Sequence, residues 1–133
     1  MKIALVQMDV VHGQPVENKK HVKEMLERAL DDSPDVIVLP EMWNTGYALN
    51  ELDGLADKDG LESQELLSRF AREHAVAIIG GSVAIEKDGK FYNTTYVYNK
   101  SGDLINTYSK VHLFGLMAED QYMSAGVDES VFE

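Results

Sequence analysis

Short apolar runs alternate with longer amphipathic stretches along the first part of the chain. The runs at 3–8, 36–39 and 76–79 have the length and continuity of strands buried in a sheet. The stretches at 15–30 and 61–74 instead repeat their apolar residues with the spacing of a helix that has one buried face. The opening strand, helix and strand predict two parallel strands joined by a right-handed crossover.

Turn residues divide the second half of the chain. Gly80-Gly81 interrupt the third strand, and Asp88-Gly89 are a strong hairpin signal, so the fourth strand is predicted to run antiparallel to its predecessor. The elements predicted after the interruption are a resumed third strand at 82–86, a fourth strand at 91–98, a turn at 99–103, a fifth strand at 104–110, an irregular segment at 113–126 and the beginning of another strand at 130–133.

A long polar connection is predicted between the second strand and the second helix, at 44–60. Its acidic residues lack the ligand spacing of an EF-hand, which favours a solvated loop over a calcium site. Asp59 and Glu62 have the spacing of a capping box for the following helix. A loop of this length within a compact domain is often functional.

Composition narrows the class of protein. A chain of 133 residues with 44% apolar and 26% charged residues is typical of one globular domain. The net charge of −11 argues against nucleic acid and against anionic membrane surfaces as partners. No apolar run is long enough to cross a bilayer, and the N-terminal run is too short for a signal peptide. The sequence contains no cysteine, which removes disulfides and thiol catalysis from these residues and suggests a cytoplasmic location.

Glu41 is the first candidate for chemistry. Pro40 cannot donate to a sheet ladder, so the second strand ends there and Glu41 lies at its carboxyl end, where open α/β sheets bind ligands. Burial among Trp43 and Tyr47 is expected to raise the pKa of Glu41 toward the range of a general base. Position alone leaves open the alternative that Glu41 is a surface residue that begins a loop.

Lys110 is the second candidate, because it lies near the end of the fifth strand. Taken by itself, it is better explained as a surface lysine on an edge strand. His112 is interpreted as structural, and His12, His21 and His74 have no metal-binding spacing, so neither a metal nor a cofactor is expected. Asn93 stands in a strand rich in β-forming residues, and no role is assigned to it.

Three segments together carry a family resemblance. They are Pro40-Glu41 followed by Gly46-Tyr47, the segment Lys110-Val111-His112-Leu113, and Glu119 seven residues before Gly126. In this order and at these separations, the chain resembles the nitrilase superfamily of carbon–nitrogen hydrolases from Lys2 to its end.

The resemblance implies a fold and a site. The expected fold is α/β, a partial α-β-β-α sandwich with a mixed sheet and helices on one face. The family's catalytic set is a Glu, a Lys and a Cys, which makes Glu41 the general base, Lys110 the stabilising cation and Glu119 the second glutamate of the site. Trp43 and Tyr47 are expected to bind the substrate, although the residues alone favour a place in the core equally. Met42-Trp43 beside the glutamate is similar to amidases that act on small ω-amides of dicarboxylic acids.

The family's cysteine lies further along than Glu133, so residues 1–133 are expected to be the incomplete N-terminal part of a hydrolase domain. Alone, they are expected to be inactive; completed by a C-terminal half, they would hydrolyse a small amide to acid and ammonia. The alternative is a non-catalytic module that self-associates or pairs with a partner, because a missing half would leave a sheet edge and an apolar layer uncovered. A cysteine-free enzyme in which Glu41 activates water is disfavoured, since no ligand set for a helping metal is visible.

Overall fold

The computed structural model describes residues 1–132, in which seven strands form one mixed sheet. The strands are β1 (Ile3–Leu5), β2 (Val36–Val38), β3 (Asp57–Lys58), β4 (Ala77–Ile79), β5 (Val83–Lys87), β6 (Lys90–Tyr98) and β7 (Leu104–Ser109). The helices are α1 (Pro15–Ala29), α2 (Leu52–Leu55), α3 (Leu61–His74) and α4 (Glu119–Tyr122), with 3₁₀ turns at Leu30–Asp32, Leu49–Glu51 and Gly115–Met117.

The sheet combines parallel and antiparallel pairs, and at one edge the short β3 runs parallel to β5. Strands β1, β2 and β4 are parallel neighbours, while β6 runs antiparallel to β4, β5 and β7. The first half of β6 pairs with β5 and its last two residues pair with β4. Strands β4 and β5 are therefore two parts of one strand interrupted at Gly80-Gly81, as predicted.

The two long helices pack on the same face of the sheet. Helix α1 connects β1 to β2, and α3 lies in the connection from β2 to β4. Because these three parallel strands are adjacent in chain order and both crossovers are right-handed, the two helices lie on the same side of the sheet. Their apolar stripes and the inward strand residues form the main core, which includes Val22, Leu26, Leu67, Phe70, Ile37 and Ile78. The predicted mixed sheet with helices on one face is confirmed.

The opposite face of the sheet is covered only in part. A small second cluster, which includes Met42, Leu52, Ala84 and Met123, covers the region of β5. On β1, Ala4 packs against the main core, so Ile3 and Leu5 point away from the helices. Their side chains are 49% and 76% exposed.

The structure corrects several local predictions. The first strand ends at Leu5, and the loop at 44–60 contains α2 and β3. Helix α3 is capped by Asp57 and not by Asp59, since the Asp57 carboxylate accepts the backbone N–H groups of Glu62 and Ser63 at 3.2 and 2.8 Å. No strand forms at 130–132, and Glu133 lies outside the described residues. Within residues 1–132, no helix has the length and apolarity needed to cross a membrane.

Candidate active site

Glu41 is positioned by the interruption between β4 and β5. Ser82 donates its backbone N–H to the Pro40 carbonyl at 3.1 Å, and its hydroxyl accepts the Met42 N–H at 3.0 Å. Gly81 has a φ of +59°, and a Cβ there would lie 2.6 Å from the Leu39 carbonyl oxygen. The glycine thus lets the broken strand approach the end of β2 closely enough to fix the segment that carries Glu41.

Lys110 is fixed through its backbone immediately after β7. Its N–H donates to the Asn93 carbonyl at 2.8 Å, and its own carbonyl accepts the Gly126 N–H at 2.9 Å. The Lys110 backbone is therefore held between β6 and the returning C-terminal segment, which aims its side chain at the end of β2.

The fold brings Glu41, Lys110 and Glu119 together. The Lys110 Nζ lies 3.0 Å from Glu41 Oε1 and 2.9 Å from Glu119 Oε2. Glu119, the first residue of α4, is completely buried, and its Oε2 also accepts the Phe114 N–H at 2.7 Å. The Glu41 side chain is 47% exposed, so of the two carboxylates it is the one that faces solvent.

Asn93 belongs to the same cluster, although no role was predicted for it. Its Nδ2 donates to Glu41 Oε1 and to Glu119 Oε1, each at 2.9 Å, and the residue is 3% exposed. Asparagine is depleted in strands. The position of Asn93 in the middle of β6, among tyrosines and threonines, was therefore the one sequence feature that could have marked it as a functional residue.

The polar surroundings lower the pKa of Glu41, so the prediction that burial would raise this pKa is wrong. Burial raises that pKa, but hydrogen bonding from Lys110, Tyr47 and Asn93 outweighs burial and favours the carboxylate. Burial also raises the pKa of Tyr47, and its interaction with Glu41 adds to the rise, to about 12. Glu41 is therefore ionised at neutral pH and Tyr47 keeps its proton.

The other two charged groups are held ionised by the same contacts. Burial raises the pKa of Glu119, yet bonds from Asn93, the Phe114 backbone and Lys110 bring it below its ordinary value. Burial lowers the pKa of Lys110, but the hydrogen bonds and charges of Glu119 and Glu41 raise it overall. The cluster consists of two carboxylates around one ammonium group.

Trp43 lies in the core and not at the edge of the site. Its side chain is completely buried, and its Nε1–H donates to the Gly80 carbonyl at 2.9 Å. The predicted contact of Trp43 with substrate does not agree with this position, because the indole fills the space behind the interrupted strand. Tyr47 is partly exposed and lies beside Glu41.

A cleft of about 240 Å³ opens beside the charged cluster. Its lining residues are Glu41, Gly81, Ser82, Asn93, Thr95, Tyr108 and Lys110. An accessible carboxylate can accept a proton, and the ammonium group beside it can stabilise a developing oxyanion. Among residues 1–132, no group of three or more His, Cys, Asp or Glu side chains is arranged to hold a metal ion.

The carbon–nitrogen hydrolase profile matches residues 2–133. This chain belongs to the carbon–nitrogen hydrolase family. Among curated relatives, it is 45% identical over 131 residues to the 2-oxoglutaramate amidase of Bacillus subtilis, covering 98% of this chain and 50% of that protein. It is 32% identical over 139 residues to an omega-amidase of Xenopus laevis, covering 99% of this chain and 50% of that protein. The chain spans about half the length of these relatives.

Solved structures place the fold of this carbon–nitrogen hydrolase chain in the nitrilase superfamily. A superfamily protein from Xanthomonas campestris superposes with a TM-score of 0.88 at 26% identity, over 99% of this chain and 48% of that one. A branch 10 member from Saccharomyces cerevisiae gives a TM-score of 0.84 at 27% identity, over 98% and 50%. The fold and family inferred from the three sequence segments are confirmed.

Proposed function

We propose that residues 1–133 supply the general base and the stabilising cation of an amide hydrolase, and that a segment outside these residues supplies the cysteine nucleophile. The observation that carries this proposal is the contact of Lys110 with Glu41 and Glu119 beside an open cleft. This sequence has no cysteine and covers half of its amidase relatives. The described part is therefore interpreted as the N-terminal part of the hydrolase domain.

The proposed reaction proceeds in two steps. Glu41 takes the proton of the cysteine thiol, the thiolate sulfur attacks the amide carbon, and the Lys110 ammonium stabilises the resulting oxyanion. The C–N bond then breaks, and the proton held by Glu41 passes to the leaving nitrogen, so that ammonia and a thioester form. Glu41 next takes a proton from water, whose oxygen attacks the thioester carbon. The C–S bond then breaks to give the acid, and the proton on Glu41 returns to the sulfur to regenerate the thiol.

The proposed substrate is the ω-amide of a small dicarboxylic acid. Two relatives that align with nearly the whole chain are named as a 2-oxoglutaramate amidase and an omega-amidase. The modest size of the cleft suits a small amide.

A second candidate function is a non-catalytic module that pairs with a copy of itself or with another protein. The exposed side chains of Ile3 and Leu5 favour it, because apolar groups on an uncovered sheet face promote association. It differs from the first proposal in requiring no cysteine partner and no turnover.

The test is the release of ammonia by the intact, cysteine-containing gene product. Glu41→Gln keeps the size of the side chain but removes the proton acceptor, so kcat is expected to fall by about 10²–10⁴-fold. Glu73→Gln is the matched control, since Glu73 is exposed on α3. Retention of wild-type kcat by Glu41→Gln would contradict the assigned role of Glu41.

A further inference from the structure

Asn93 contacts every charged member of the cluster. Its side-chain Nδ2 donates to one oxygen of Glu41 and to one oxygen of Glu119, both at 2.9 Å. Its backbone carbonyl accepts the Lys110 N–H at 2.8 Å. One residue of β6 thus touches three residues from the end of β2, the end of β7 and the first turn of α4.

The amide group is well matched to this position. Its NH₂ carries two N–H donors on one uncharged nitrogen, so it can bond two carboxylates at once without adding a charge. Donors placed between Glu41 and Glu119 offset the repulsion of their like charges. Lys110 bonds Oε1 of Glu41 and Oε2 of Glu119, so Oε1 of Glu119 takes its hydrogen bond from Asn93.

The strand holds the amide rigidly. Asn93 lies opposite Ala84 of β5, and the neighbouring Thr94 pairs with Ser109 of β7, so β6 is bonded on both sides at this point. With 3% of its surface exposed, the Asn93 side chain has little freedom to turn. A group intended to orient others must itself be fixed by packing and hydrogen bonds.

We propose that Asn93 is a positioning residue that holds the Glu41 and Glu119 carboxylates around the Lys110 ammonium in the orientation that the hydrolysis requires. This inference rests on the proposed function, because it assigns Asn93 a part in the same reaction. Asn93 acts through Glu41 and Glu119, since its amide N–H groups are already bonded to these two carboxylates. If Asn93 were only a packing residue, an apolar side chain of similar size would leave the acid–base behaviour of Glu41 unchanged.

The first test uses the 133-residue chain and needs no turnover. The carboxyl groups of Glu41 and Glu119 are titrated by carbon-detected NMR in the wild type and in Asn93→Leu. The groups that face Glu41 are Lys110, Tyr47 and Asn93, and those that face Glu119 are Asn93, Lys110 and the Phe114 N–H. Loss of the amide donors is expected to raise the pKa of both carboxyl groups.

Asn18→Leu is the matched control for the loss of a buried asparagine. Asn18 is completely buried and bonds the backbone of Val11 and Asn44, neither of which is a member of the charged cluster. Asn18→Leu is expected to leave the pKa of Glu41 unchanged. If Asn93→Leu does not fold, Asn93→Thr replaces it, because threonine suits a strand and offers one donor. Unchanged pKa values for Glu41 and Glu119 in the folded variant would overturn the inference.

The second test measures hydrolysis by the intact, cysteine-containing product. A displaced base is expected to lower kcat about 100-fold with little change in KM. Because Glu41 must be ionised to act, a raised pKa moves the acid limb of the kcat/KM profile to higher pH. Asn93→Thr, with one donor, is expected to move it less. An unchanged acid limb in Asn93→Leu would overturn the positioning role but not the proposed function. An inactive wild-type protein would refute the proposed function, and the role of Asn93 would then be decided by the NMR titration.

Discussion

At the scale of single residues, the charged cluster links the site to stability. The pKa values of Glu41 and Glu119 lie below their ordinary value of 4.5, so their contribution to folding is present at neutral pH and is lost as the pH falls through the lowered values. The pKa of Lys110 lies above 10.5, so its contribution is present below that pH and is lost as the pH rises past the raised value.

Glu119→Gln tests this linkage. Removal of one partner from a buried ion pair is expected to lower the free energy of unfolding at pH 7 by on the order of 3 kcal/mol. Because the lost carboxylate no longer titrates, the variant should also lose less stability than the wild type as the pH falls from 7 to below 4.5. Urea unfolding at both pH values measures the two effects, with the exposed Glu73→Gln as control. An acid dependence as steep as that of the wild type would argue against the assigned role of Glu119.

At the same scale, the sequence predicted the charged residues better than their surroundings. Glu41 was predicted from its position at the end of β2, whereas Lys110 and Glu119 were predicted from the family resemblance. Ion pairs between residues far apart in the chain leave no local sequence pattern. The direction of the Glu41 pKa shift was missed because it depends on Asn93 and Lys110, which only the folded sheet brings within hydrogen-bond distance. Trp43 was misplaced because a large apolar side chain next to a site suits a pocket and a core equally.

At the scale of secondary structure, periodicity predicted the long elements and failed for the short ones. Helix α3 begins and ends where the apolar stripe indicates, and α1 ends one residue before the predicted end. Helix α2 and strand β3 were missed because four and two residues are too few to establish a period. Residue spacing predicted Asp59 as the cap of α3, but Gly60 has αL geometry and the capping carboxylate is that of Asp57. Residue spacing cannot show this backbone geometry.

Gly81→Ala tests the element that fixes Glu41. A methyl group there would overlap the carbonyl oxygens of Pro40 and Leu39, and the positive φ adds backbone strain. Gly89→Ala is the matched control, because Gly89 also has a positive φ, of +71°, but open space around its Cβ position. We expect Gly81→Ala to cost about 2 kcal/mol more than Gly89→Ala in thermal or urea unfolding. Equal losses would show that the close contact between Gly81 and the end of β2 does not matter.

At the scale of the whole molecule, we expect the partly covered face of the sheet to promote association. Leu5 is 76% exposed on that face, and Ile3 beside it is 49% exposed. The isolated 133-residue chain is therefore expected to self-associate, and Leu5→Lys to shift it toward monomer. Leu61→Lys is the control, since Leu61 is 62% exposed on α3, which packs on the opposite face. Sedimentation velocity over a range of concentrations measures both variants, and a wild-type chain that stays monomeric at high concentration would refute the expectation.

Whether the proposed site needs a cysteine from outside residues 1–133 is tested by comparing ammonia release from a small ω-amide by two preparations. One is the 133-residue chain alone, and the other is the same chain joined to the proposed cysteine-containing segment. We expect no turnover by the first and Glu41-dependent turnover by the second, because the proposed base and the proposed cation lie within residues 1–133, whereas this sequence contains no cysteine. Ammonia release by the chain alone that disappears in Glu41→Ala would contradict the account, since it would require a different nucleophile within these residues.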